Sequence, residues 1–255
     1  MVVRYRTKGF VFKKNDRLET GRLFSVFTED FGRVEVLGRA IRKIASKLRG
    51  GIEIFSLSEI EFIQGKNYKT LTDAILIKKF NNITSNPEKL EIANNIIGAL
   101  SSLINGQEKD ERIWELLKET FKKLNDCLPS AVCYQMIYYY FLWNFLSVLG
   151  YLPEVYKCAI CQGELLPEEL YFSYKEGGVI CQKCLGQDNT AKKVNTGIVK
   201  IIRIILKKDW QIINKLKIEP SLANILKEVS ANYYNYLLSN HSFRNNLRRP
   251  IKVIQ

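Results

Sequence analysis

The strongest constraint on this chain is a pair of cysteine knuckles, Cys158-Ala159-Ile160-Cys161 and Cys181-Gln182-Lys183-Cys184. Two residues between thiols let both sulfurs of a knuckle turn toward one point, and two knuckles supply the four thiolates of a tetrahedral site. The 19 residues between the knuckles fall within the range of four-cysteine zinc ribbons. Gly163, Gly177-Gly178 and Gly186 place turn formers around both. A pair of disulfides, or four unrelated core thiols, is the competing reading. The matched spacing favours one Zn2+ per chain, held by Cys158, Cys161, Cys181 and Cys184. A closed four-thiolate site leaves no coordination position for chemistry, so the metal is expected to be structural. Cys127 and Cys133 lie in apolar helical sequence and are expected to be small buried thiols.

Charge is the second constraint. The 255 residues carry 39 Lys and Arg against 26 Asp and Glu, a formal net charge of +13. Residues 1–80 hold 17 of the basic side chains and 9 of the acidic ones, so the surplus is concentrated at the start. That points to a polyanionic partner, nucleic acid before membrane. No apolar run reaches about 18 residues, and Arg4, Arg6 and Lys8 interrupt any leader-like stretch, so no membrane partner is expected. Thiolate metal ligation suits a reducing cytoplasm.

Residues 1–80 read as short strands: Lys8–Lys13, Arg22–Thr28, Arg33–Leu37, Ile52–Ile63 and Tyr68–Ile77. Five strands with a longer connection after the third suit a small Greek-key barrel of the OB-fold type. The connection holds Arg39, Arg42, Lys43, Lys47 and Arg49 and no acid, with Ile41, Ile44 and Leu48 at helical spacing. A short amphipathic helix is expected there. It is either a solvated cap on the barrel or a phosphate-gripping edge, the absence of a neutralising acid favouring the second. Lys8 and Arg22 join those five as candidate DNA contacts. Phe10, Phe12, Phe24 and Phe27 are available for base stacking, although a barrel this small must spend most of them on its core.

Beyond Asn81–Pro87 the period becomes helical. Ser85 or Asn86 can cap a helix that Pro87 opens. A second helix follows over Glu111–Leu124, and a third, apolar all round, runs from Pro129 to Leu149, as expected of the centre of a bundle. After the knuckles, Thr196–Lys207 and Pro220–Ser239 return to helix. The tail from Arg244 holds Arg248, Arg249 and Lys252; a frayed end and additional phosphate contacts are equally open readings. The expected organisation is thus multidomain α+β: an OB-fold barrel over residues 1–80, a helical domain over 81–153 and 191–240, a zinc finger over 154–190 inserted in it, and a basic tail over 241–255.

Several chemistries are missing. There is no phosphate-binding loop of the G-x-x-x-x-G-K type and no G-x-G-x-x-G after a strand. The one histidine, His241, is expected at a surface or helix end, which leaves no His-based catalytic site. An enzyme is not expected. A zinc-ribbon RNA- or ribosome-associated binding protein is the alternative class, separable by preference for structured RNA and absence of strand annealing.

The order of these parts resembles the bacterial DNA repair protein RecO family. The local matches are Arg22-Leu23-Phe24-Ser25-Val26-Phe27-Thr28 with Phe31-Gly32, then Ser46-Lys47-Leu48-Arg49-Gly50, then Gly150-Tyr151-Leu152-Pro153 ahead of the first knuckle. Where the family's third strand usually runs into a Lys-Gly pair, this chain has Gly38-Arg39. The resemblance implies an OB-fold, a helical domain and a zinc finger. It also implies a cytoplasmic, nucleoid-associated recombination mediator that binds single- and double-stranded DNA and anneals complementary strands. The implied protein partners are RecR, the C-terminal tail of single-strand-binding protein and, indirectly, the RecA filament.

Overall fold

The computed structural model describes residues 3–17, 21–44, 46–65, 68–104, 106–107, 109–128, 130–167 and 169–247. The barrel is built on β1 (Arg4–Arg17), whose first half pairs with β4 (Ser56–Ile63) and whose second half pairs with β2 (Gly21–Thr28). Gly9 sits where these pairings overlap, and a Cβ there would lie 2.3 Å from Val26 Cγ1, so only glycine lets the walls approach. A hairpin joins β2 to β3 (Gly32–Gly38) through Gly32 at φ +58°. β5 (Lys69–Lys79) pairs antiparallel with β4 and, at Lys69 and Thr70, parallel with β3. The closed order β1-β2-β3-β5-β4 is that of an OB-fold. Val11, Phe24, Val26, Val34, Val36, Ile60 and Phe62 fill the interior, alternating with outward polar residues as the pleat requires.

Two expectations in this region do not hold. Residues 39–44 and 46–51 form tight turns, not a helix: the amides of Lys43, Ser46, Arg49 and Gly51 each bond the carbonyl three residues back. Ala40 adopts φ +52°, outside the right-handed helical region. The barrel accepts Ile41 and Leu48 but not Ile44, which is 94% exposed. The fourth strand also begins later than its sequence pattern suggests. Phe55 has φ +53° and Ser56 Oγ bonds the backbone of Glu53, so Ile52–Phe55 is a bend leading into β4.

α1 (Asn81–Thr84), α2 (Pro87–Leu103) and α3 (Glu111–Asp126) follow. Asn86 caps α2 by accepting from the Lys89 amide, with Pro87 at the first helical position. Phe121 of α3 packs against the outer barrel wall, 4.2 Å from Phe10 and 5.9 Å from Phe55 between centroids. Cations serve the helix C-termini, as the helix dipole favours. Arg33 donates to the carbonyls of Ser101 and Ile104 at the end of α2. The buried Lys89 donates to those of Asn125 and Cys127 at the end of α3, and burial depresses its pKa. Cys127 and Cys133 are not free buried thiols. They are half-buried and joined in a disulfide, because Cys133, six residues on, lies beside Cys127 at the C-terminal end of α3.

The chain divides into two compact units, residues 1–134 and 135–255. α4 (Ala131–Val148) runs from the first into the second, where it is central, as its apolar sequence implies. There Trp143 Nε1 donates to Ser230 Oγ at 3.0 Å, and Asn144 Nδ2 donates to the carbonyls of Tyr140 and Ile205. β6 (Leu170–Ser173), β7 (Gly178–Cys181) and β8 (Lys192–Val194) form a small antiparallel sheet in the order β7-β6-β8. α5 (Thr196–Leu206), α6 (Trp210–Ile213) and α7 (Pro220–Leu247) complete the unit. α7 continues beyond the Ser239 end expected from its pattern. Among the described residues no helix is long and apolar enough to cross a membrane. Pro129, the side chains of His241 and Arg244, and the tail with Arg248, Arg249 and Lys252 lie outside the described residues.

Candidate metal centre and nucleic-acid interface

The first knuckle is a tight loop held at both ends: the Cys158 amide bonds the Gly163 carbonyl at 2.9 Å, and the Gln162 amide bonds the Cys158 carbonyl at 2.9 Å. The second begins at the end of β7 and enters a short 3-10 helix over Gln182–Gln187. The sheet edge links them, since the Ala159 amide donates to the Val179 carbonyl. The four sulfurs of Cys158, Cys161, Cys181 and Cys184 lie within 4.8 Å of one another, with Cys161 and Cys181 3.9 Å apart. A tetrahedron with arms of about 2.3 Å has edges of about 3.8 Å, so the donor set fits a four-thiolate metal ion. Burial raises the Cys158 pKa, but the amides of Cys161, Cys181 and Ile160 and the Cys161 thiol outweigh it and bring it down to about 6. Burial and the three neighbouring thiols push Cys184 up to about 12. A cation at the centre is the group that would let all four ionise together.

Asp188 closes the finger behind the knuckles. Its buried carboxylate accepts from Ser173 Oγ, and from the amide and hydroxyl of Thr190 at 3.0 and 2.6 Å. Cys161 is exposed whereas Cys158 and Cys184 are buried, so the site opens to solvent on one side.

The barrel's charges divide into two groups. On the outer wall Arg4 and Arg6 face Glu59 and Glu61 at 3.5–3.7 Å, and Lys8 lies 3.9 Å from Glu29. These cations are largely neutralised by their own sheet. In the connection after β3, Arg39, Lys43, Lys47 and Arg49 are exposed and make no ion pair among the described residues. Arg42 is not free of acid as the acid-free connection suggests, and neither is Arg22. Asp16 at the end of β1 accepts from Arg22 Nε at 2.7 Å and lies 3.8 Å from Arg42. Hydrogen bonding to Arg22 holds the Asp16 carboxyl below its usual range.

A cleft of about 380 Å³ at the foot of this connection gathers Arg22 and Arg49 with Ile41 and Ile52. It also brings in Lys14 and Lys79, which the strand pattern does not single out, and Glu53, which pairs with Lys79. The lysines' one legible signal is the doubled cation, Lys13-Lys14 within β1 and Lys78-Lys79 at the end of β5. Phe10, Phe12, Phe24 and Phe27 are all 5% exposed or less, so they form core and helix packing and cannot meet bases. Tyr68, at 40% exposure, is an aromatic that the barrel leaves open to solvent.

A family model described as Recombination protein O N terminal matches residues 1–80, and one described as Recombination protein O C terminal matches residues 84–246. The chain belongs to the RecO family. Curated relatives agree along most of its length. The DNA repair protein RecO of Dehalococcoides mccartyi strain 195 is 29% identical over 223 residues, covering 88% of this chain and 86% of that one. That of Alkaliphilus metalliredigens is 27% identical over 228 residues, covering 89% and 91%. That of Caldicellulosiruptor saccharolyticus is 26% identical over 234 residues, covering 91% and 93%. Family membership carries a role in DNA repair and recombination, and these names describe no enzyme.

Proposed function

We propose that this RecO-family chain is a recombination mediator that binds single- and double-stranded DNA and anneals complementary strands. With RecR and single-strand-binding protein, whose C-terminal tail it engages, it helps to load RecA in the cytoplasm at the nucleoid. The observation that carries the reading is the row of exposed cations without acidic partners among the described residues, Arg39, Lys43, Lys47 and Arg49, on a closed barrel in the family's N-terminal segment.

The cations hold phosphates by releasing condensed counterions, so binding is electrostatic and largely indifferent to base sequence. Two strands held on such a surface repel each other less, and Watson–Crick pairing supplies the specificity. No covalent bond is made or broken, and no nucleotide is consumed. Cys158, Cys161, Cys181 and Cys184 hold one structural Zn2+, which contributes folding free energy to the finger. The barrel handles nucleic acid, and the helical domain takes the C-terminal tail of single-strand-binding protein.

The test is duplex formation from labelled complementary oligonucleotides coated with single-strand-binding protein. The chain is expected to accelerate it without ATP, and less so as salt rises. A rate equal to that without the chain overturns the reading.

A further inference from the structure

The turn relay after β3 is anchored at both ends, since Ile41 is 3% exposed and Leu48 packs against the barrel core. Between them Ile44 is 94% exposed. Single exposed apolar residues are common and need no explanation by themselves. This one differs in its setting. It lies beyond Arg42 and Lys43 and before Lys47, and neither lysine has an acidic partner among the described residues. The turn closed by the Lys43 amide on the Ala40 carbonyl fixes the backbone leading into Ile44. The root of the segment, at Ile41 and Arg49, lines the basic cleft.

We propose that Ile44 is an apolar wedge that enters the base stack of DNA held by the flanking cations. The inference rests on the reading of residues 39–49 as the DNA-gripping edge. For an aliphatic side chain on DNA, the most extensive apolar environment is the space between neighbouring bases. Wedges of this kind unstack a step while cations beside them hold the phosphates. Charge complementarity selects DNA as the occupant: an apolar tip flanked by unpaired cations meets phosphate first and bases behind it. A wedge opens a step locally, which is what a protein that lets strands exchange partners requires. Beside the exposed aliphatic stretch Ile75-Leu76-Ile77 on β5, Lys78 lies over the Phe80 ring and Lys79 is paired with Glu53.

The test uses the whole chain and a short duplex carrying 2-aminopurine, whose fluorescence rises on unstacking. Ile44 is almost fully exposed, so Ile44→Ala is expected to leave melting temperature unchanged. It is expected to remove at least about half of the fluorescence rise and to weaken binding roughly three- to tenfold with the salt slope unchanged. Ile44→Leu is expected to restore both. If Ile44→Ala behaves as wild type while Lys43→Ala/Lys47→Ala loses affinity, the wedge is overturned and the DNA edge stands. If neither variant changes binding, both fall. Ile44-dependent attachment to phosphatidylglycerol vesicles, with an unaltered DNA signal, also overturns the wedge and makes a membrane surface the occupant.

Discussion

The Cys181 amide donates to Cys158 Sγ at 3.4 Å, so the backbone of the second knuckle grips a sulfur of the first. Amide donors of this kind favour thiolate over thiol and orient it toward the common centre. The finger therefore carries its ligand geometry in the β6–β7 hairpin, not in the cysteines alone.

The metal assignment is tested at Cys161. This ligand is exposed, so Cys161→Ser creates no cavity, and its effect reports the metal. Purified protein is expected to hold one zinc per chain, and the variant much less, with a lower melting temperature. Unchanged zinc content in Cys161→Ser would contradict the four-cysteine site.

Asp110 caps α3, accepting from the amides of Arg112 at 2.9 Å and Ile113 at 3.3 Å. Replacing it with alanine is expected to cost about 1 kcal/mol. Hydrogen bonding to the Arg112 side chain holds the carboxyl below its usual range, against some burial and with help from the two amides. A depressed folded pKa gives stability that is complete above the unfolded value and lost as pH falls through the folded one. In denaturant titrations the gap between wild type and Asp110→Ala should be constant near neutrality and close toward acid. A gap that widens on acidification would contradict the capping role.

Asp16 is an internal competitor for the DNA edge, because it occupies Arg22 and draws on Arg42. Asp16→Asn is expected to tighten DNA binding roughly twofold or more at low salt, the gain fading as salt screens it. Anisotropy titrations at two salt concentrations check this. Weaker binding by the variant would show that Asp16 positions Arg22 for DNA.

The knuckles were legible because ligand chemistry ties sequence spacing directly to geometry, and the strands because alternation reports a half-buried sheet. The connection after β3 was not. Ile41, Ile44 and Leu48 carry helical spacing, yet a barrel end needs only two of them as anchors, and Ala40 turns the chain out of helical geometry. Nor could local sequence show that Asp16 neutralises Arg22, or that Lys14 and Lys79 line one cleft. Those are relations between strands, set by register. Phe10 illustrates the same limit: its place on an early strand offers it to bases, but Phe121 on α3 claims it for the packing of the barrel's outer wall.

That packing means the barrel is best tested in the whole chain. The central claim is that Arg39, Lys43 and Lys47 hold phosphates. The direct measurement is the salt dependence of DNA affinity for the wild type and for Arg39→Ala/Lys43→Ala/Lys47→Ala, with folding verified by melting temperature. Each phosphate-binding cation removed should lower the slope of log affinity against log salt by about 0.9 on duplex and about 0.7 on single strands. A triple variant with wild-type affinity and slope on both would contradict the account.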